Sequence, residues 1–394
     1  MRILGLSFQF HDAAATVVED DKILYASHSE RYSKIKNDAF LNHEMISDCL
    51  KFGKPDVIVL HEKSFVKKLR NIYAGNWSAL REHSMTAWIK EFFPELAGIP
   101  IKSYWHHETH AAAGVLTSKF DDAAVMVIDA IGEFDTASIW RWKDGKLKKI
   151  DSVKFPSSLG LFYSAMTAHV GLKPMEDEYV LMGMAAYGEP HFADAMSTEF
   201  FVDSKCTEPS NVIAMKKNLQ RGVPKSYLGR DEQSGIDEYG HTKIDYHIAA
   251  SAQAIAEKRI FEYARHALIM TNSENLVFMG GCALNCVANS NLFTLFKNVH
   301  IMPNPGDAGS SLGAAALHAY NTTGTKVNWT GPFLGNNIEG KYPIKKALES
   351  LLNGEVFGIA NGPAEFGPRA LGNRTLSADP RGPHIKDKVN KIKL

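Results

Sequence analysis

Cysteine is scarce: four in 394 residues. That is too few for a disulfide scaffold, and a reducing cytoplasm is the economical compartment. Net charge is lacking too, with 44 Lys+Arg against 44 Asp+Glu. This gives no support for general nucleic-acid binding, which rests on broad electrostatic capture. No apolar run approaches the ~20 residues needed to cross a bilayer, so no membrane partner is expected. The opening, MRILGLSFQFHDAAA, lacks the apolar core of a signal peptide and reads as a strand entering a turn. No Gly-x-Ser-x-Gly or Cys–His signature points to a covalent intermediate. What is present is ordinary globular material, 45% apolar and 22% charged, long enough for two or three domains.

The chain begins strand, turn, strand, turn, strand: Arg2 to Phe8, Ala14 to Val18, Ile23 to Ala26. The pattern returns near Ala123, where AAVMVIDA, TASIWRW and KLKKIDSV are strands around the turns IGEFD and KDG. FHDAAATVV and EFDTASIWR then align at Asp12 and Asp135. A duplicated fold of the actin and sugar-kinase kind is expected, its two β-turns offering backbone N–H groups to nucleotide phosphates. His247 to Met270 reads as a strong helix with apolar residues three and four apart. Residues 321–345 read as a linker.

Four motifs carry candidate chemistry. In WHHETHAAAGV, His106 and His110 are four apart and share a helix face, so both imidazoles can reach one metal; His107 and His110, three apart, would serve as well. Asp129 and Asp307 each lie at a strand end. Two imidazoles plus carboxylates suit a divalent transition metal such as Fe(II) better than Ca²⁺ or Mg²⁺. In GGCALNCVAN, Gly280 and Gly281 permit close backbone approach and Asn285 offers a donor and an acceptor to a nucleotide. Cys282 and Cys286 have metal-like spacing but no second pair, and are expected in the core. In NPGDAGSSLGAAA, Gly306 and Gly309 flank a helix start of the kind that cradles phosphate. In EFGPRALGNRTLSADPRG, Arg369, Arg374 and Arg381 are turn-held guanidinium groups suited to a phosphate or carbamoyl group.

Together and in this order, these motifs resemble the O-carbamoyltransferases of antibiotic and nodulation-factor biosynthesis, the NodU/CmcH family. Further matching stretches are PSSLGLFYSAMTAHVGL and YVLMGMAAYG. The resemblance implies an α/β architecture: a duplicated actin-like (RNase H-like, ASKHA) fold with two βββαβα halves, 1–121 and 122–345. Residues 346–394 would be the incomplete start of a YrdC-like carbamoyl-adenylate-forming domain. It implies that carbamoyl phosphate and ATP, the latter with Mg²⁺, form carbamoyl adenylate, from which the carbamoyl group moves to a hydroxyl of a small-molecule acceptor. It also implies iron held by His106, His110, Asp129 and Asp307. Catalytic roles fall to His11, beside Asp12, and to Lys36. Nucleotide contacts fall to Gly280, Gly281, Asn285, Gly306 and Gly309, and carbamoyl phosphate to Arg369 and Arg374.

Two departures stand out. Val180 occupies the place where many relatives carry Lys, and the chain stops soon after GPRALGNR, with ~40 residues rarely folding alone. The expectation is that the gene is shortened or that a second copy or second polypeptide completes the activating domain, and that this chain alone fails to make carbamoyl adenylate. The competing readings are a transferase of the tRNA threonylcarbamoyl type and a non-catalytic nucleotide-binding relic.

Overall fold

The computed structural model describes residues 1–393 except 203–208, 225, 230–235 and 238. Part of the polar insert read at 222–240 lies outside the described residues.

Two five-stranded sheets repeat one topology. The first comprises β1 (Arg2–Ser7), β2 (Ala14–Glu19), β3 (Lys22–His28), β4 (Val57–Leu60) and β5 (Ile101–Ser103), in the order β3-β2-β1-β4-β5. β1 is antiparallel to β2 and parallel to β4. The second comprises β6 (Asp122–Ile128), β7 (Asp135–Lys143), β8 (Lys146–Lys154), β9 (Asn275–Met279) and β10 (Asn298–His300), in the order β10-β9-β6-β7-β8. Here β6 is antiparallel to β7 and parallel to β9. Read from its own first strand, each sheet runs 3-2-1-4-5, so the chain has the duplicated actin-like fold. Asp12 precedes β2 and Asp135 opens β7, so the aligned pair marks equivalent strands.

The central strands read as continuous apolar runs because both faces are covered. In β6, Ala123, Val125 and Val127 face one core while Ala124, Met126 and Ile128 face another. The outer face of the second sheet packs on the helix Lys243–Thr271, whose first turn is closed by a Thr242–Asp245 capping box. The inner faces are covered crosswise. The helix His106–Thr117, which ends the first half, packs on the second sheet; the helix Gly309–Thr323, which ends the second half, packs on the first. The two crossing helices pack on each other through Ala and Gly, small enough to bring their backbones together.

Residues 321–345 are more than a linker. They hold the end of the second crossing helix and β11 (Phe333–Ile338), which pairs with β13 (Gly362–Glu365); β12 (Phe357–Ala360) pairs with β14 (Arg374–Ser377). Strand pairing therefore spans residue 345. Phe366 is fully buried in the core around the crossing helices and seats this segment on the two halves. Among the described residues no helix is long and apolar enough to cross a membrane.

Candidate metal centre and ligand cavity

The strand ends of the second half and the first crossing helix bring four groups to one point. His106 Nε2 and His110 Nε2 lie 3.1 Å apart. Asp129 Oδ2 is 3.2 Å from each of these nitrogens. Asp307 Oδ1 is 3.2 Å from His110 and 3.4 Å from His106. For metal bonds of ~2.1 Å, neighbouring ligand atoms stand ~3.0–3.4 Å apart, so one ion fits among all four. Two carboxylates and two neutral imidazoles sum to the charge that a divalent cation balances. All four side chains are buried. Burial, and for Asp129 the charge of Asp307, oppose ionisation of the carboxylates; the imidazoles outweigh this and hold both below the usual range.

The tautomer of His110 is set from behind. Its Nδ1 lies 3.1 Å from the Pro305 carbonyl, which only accepts, so the proton is on Nδ1 and the Nε2 lone pair faces the cluster. The same carbonyl accepts the Gly280 N–H at 2.9 Å. Gly280 is thus spent on the scaffold: its φ is +91°, and a Cβ there would lie 2.2 Å from the Ile128 carbonyl oxygen. His107 is not part of the cluster. Its Nδ1 meets Ser138 Oγ at 2.8 Å, and burial, with the nearby His106 charge, pushes it down to about 3.

Asp129 and Asp307 open onto a cavity of about 480 Å³ between the halves, which His11, Lys36, Gly281, Asn285, Gly306 and Arg369 also line. His11 donates through Nδ1–H to Asp12 Oδ2 (3.0 Å) and places Nε2 3.8 Å from Asp307 Oδ2. Burial works against a charged His11, but the Asp12 hydrogen bond and the Asp307 charge raise it to about 9. The first turn presents these side chains rather than amides, because the N–H groups of Gln9, Asp12 and Ala13 are bonded to the carbonyls of Ala39, Asn37 and Asp38. Lys36 and Arg369 flank one ring, Tyr179, at 4.6 and 6.0 Å. Asn285 is locked in a reciprocal amide pair with Gln253 (2.9 and 3.0 Å), itself held by Tyr163.

Other sequence candidates sit elsewhere. Gly309 packs against Asn304, whose carbonyl oxygen would be 1.9 Å from a Cβ. Arg374 is spent on backbone carbonyls of Asn336, Asn361, Gly362 and Asn373, at 2.7–3.1 Å, and stitches β11, β13 and β14 together. Arg381 pairs with Asp379 at the surface. Val180 packs on the core of the second half. Cys282 is part-buried, packs against the core of the second half and also lines the cavity, whereas Cys286 is exposed and is not the core residue expected. No candidate role falls to Tyr179 or Gln253 from the sequence, although a Gln beside the apolar stripe of a long helix is a readable signal.

The loop carrying Arg369 is folded on Glu365, a buried carboxylate whose Oε1 accepts the N–H groups of Leu371, Asn373 and Arg374 at 2.8–3.1 Å. Burial alone would raise its pKa, but the three amides outweigh it and lower it. The stabilisation is therefore complete above the ordinary glutamate range and fades as pH falls through the depressed value. Glu365→Ala is expected to cost about 1–3 kcal/mol near neutral pH. The gap from wild type in urea midpoint should narrow as pH falls below the ordinary glutamate range; a gap independent of pH refutes the charge's role.

Residues 2–316 match the family described as carbamoyltransferase N-terminus, and residues 348–394 match carbamoyltransferase C-terminus. The chain is similar to an uncharacterised protein of Synechocystis sp. (33% identity, 99% of this chain, 73% of that protein). It is similar to nodulation protein NolNO of Sinorhizobium fredii (28%, 97% of this chain, 60% of that protein). It also resembles the 3'-hydroxymethylcephem-O-carbamoyltransferase of Amycolatopsis lactamdurans (28%, 97% of this chain, 74% of that protein). With a matched region spanning both halves, the chain belongs to the carbamoyltransferase family.

Proposed function

We propose that this chain is an O-carbamoyltransferase that moves a carbamoyl group from carbamoyl adenylate to a hydroxyl of a small-molecule acceptor, the adenylate arising from carbamoyl phosphate and ATP. The observation that carries this is the convergence of His106, His110, Asp129 and Asp307 at the wall of a cavity large enough for a nucleotide. These four residues would hold a divalent metal, Fe(II) by the chemistry of the set, and such an ion supplies Lewis acidity toward a carbonyl oxygen.

The chain's own residues account for the rest. Lys36 and Arg369, both against the Tyr179 ring and both lining the cavity, form a cationic seat for phosphate. Gly281, Gly306 and Asn285 line the second-half wall at the strand ends, where open α/β sheets bind ligands. The acceptor oxygen forms a bond to the carbamoyl carbon, the carbon–oxygen bond to phosphate breaks, and AMP departs with the electron pair. The hydroxyl proton needs an acceptor. The Asp12 carboxylate, which lines the cavity, would take it, and His11, whose raised pKa of about 9 leaves it protonated near neutral pH, would orient the acceptor or carbamoyl oxygen as a donor.

Incubation of the full chain with preformed carbamoyl adenylate and a panel of hydroxyl acceptors is expected to give a carbamate ester and AMP in equal amounts. AMP release without any ester across sugar, cephem and aminoglycoside alcohols, with metal bound, would overturn the transferase reading.

A further inference from the structure

The carboxylate of Glu133 does no work in the scheme above, yet it is buried beside the cluster. It lies in the β6–β7 turn, four residues after Asp129. Both of its oxygens are 3.2 Å from the backbone N–H of His106, the first residue of the first crossing helix. Its Oε1 also accepts the N–H of Lys63 at 2.8 Å, the residue that precedes the helix Ser64–Tyr73. One carboxylate thus ties the turn that carries Asp129 to the helix start that carries His106, and both to the first half. Helix starts leave amides without partners and favour an adjacent negative charge, so the acid fits there energetically.

We infer that Glu133 is a positioning residue that fixes the spacing between the two ligand-bearing elements of the metal site. This rests on the metal reading proposed above. His106 is held to the cluster only through Nε2, since its Nδ1 has no hydrogen-bond partner. The anchoring found behind His110, at Pro305, is supplied for His106 through its backbone instead. Loss of the carboxylate frees two buried amides and lets the helix start drift from Asp129. Glu108 serves as the control: it caps the same helix from outside, accepting the Trp105 N–H at 3.4 Å, and touches no ligand residue.

The test is titration of the full chain with cobalt(II) alone, following d–d absorption. Wild type is expected to bind one ion. Glu133→Ala is expected to bind about 10- to 100-fold more weakly, with a changed spectrum, as outer ligand supports generally do. Glu133→Gln, which keeps an acceptor oxygen, should recover most of the affinity, and Glu108→Ala should match wild type. Wild-type affinity and spectrum in Glu133→Ala overturn the inference, as does an equal loss in Glu108→Ala, which signals general fraying. Should Glu133→Ala fail to fold, Glu133→Asp carries the test: the shortened acid must lose affinity, and wild-type binding refutes the role. A wild-type chain that binds no cobalt overturns the metal reading itself, in an arm separate from the variants.

Discussion

Alanine at both His106 and His110 is expected to leave a folded chain that holds less than about a tenth of the metal that wild type holds, while transfer from supplied carbamoyl adenylate falls by about 10²-fold or more. The reason is geometric. The two imidazoles are half of the converging set, and their nitrogens are only 3.1 Å apart. Removing both leaves two buried carboxylates facing one space, and like charges so placed favour protonation of one of them over binding of a cation by two ligands. Folding survives because neither imidazole belongs to the apolar cores around β1 and β6, which are untouched. His107→Ala is the internal comparison. Its ring points to Ser138, so metal content should stay at the wild-type level. Elemental analysis of the purified chains, with iron expected ahead of zinc, decides the matter. Full metal content in the double variant would place the ion somewhere else.

The parts of this arrangement that depend on local pattern were readable in advance. The meanders announce themselves because a strand covered on both faces must be apolar throughout, as Ala123–Ile128 is. The His pair is readable because a four-residue step on a helix returns to the same face. Asp129 is readable as a carboxylate leaving a buried strand. Choosing His106 over His107 was not, because the choice depends on how the helix is rotated, and that is set by packing of Ala111–Val115 between the sheets. Glycine and arginine letters mislead for a related reason. Gly281 and Gly306 line the cavity, whereas Gly280 and Gly309 admit neighbouring carbonyls; nothing local separates the two uses. Arg369 and Arg374 share one motif, yet the second is drawn to strand carbonyls that come from residues 336 to 373. Tyr179, Gln253 and Glu133 acquire their roles only from partners far away in sequence.

Gly313→Ala is expected to be a strongly damaging substitution near the site. Gly313 lies on the second crossing helix, and a Cβ built there stands 1.9 Å from the Thr109 carbonyl oxygen. Carbon and oxygen need roughly 3.3 Å, so the two helices must separate by ~1 Å or more. Backbone is the obstacle, and no rotamer change relieves it. Overpacking of this kind costs about 1–3 kcal/mol, and the upper end applies where two helices and two sheets must shift together. The consequence reaches the metal centre. Thr109 lies between His106 and His110, and its hydroxyl donates to the carbonyls of His106 and His61, while Asp307 lies just ahead of the other helix. Spreading the crossing therefore pulls the imidazoles from Asp307, and cobalt(II) affinity should fall about tenfold or more. Gly324→Ala separates this from ordinary helix destabilisation. Gly324 ends the same helix at φ +73° with open space around it, so it should lose about 1 kcal/mol of stability and no metal affinity. Urea midpoints and cobalt titrations on both variants give the comparison. Wild-type stability and affinity in Gly313→Ala would mean that the helices can part without cost, and that the crossing does not set the site.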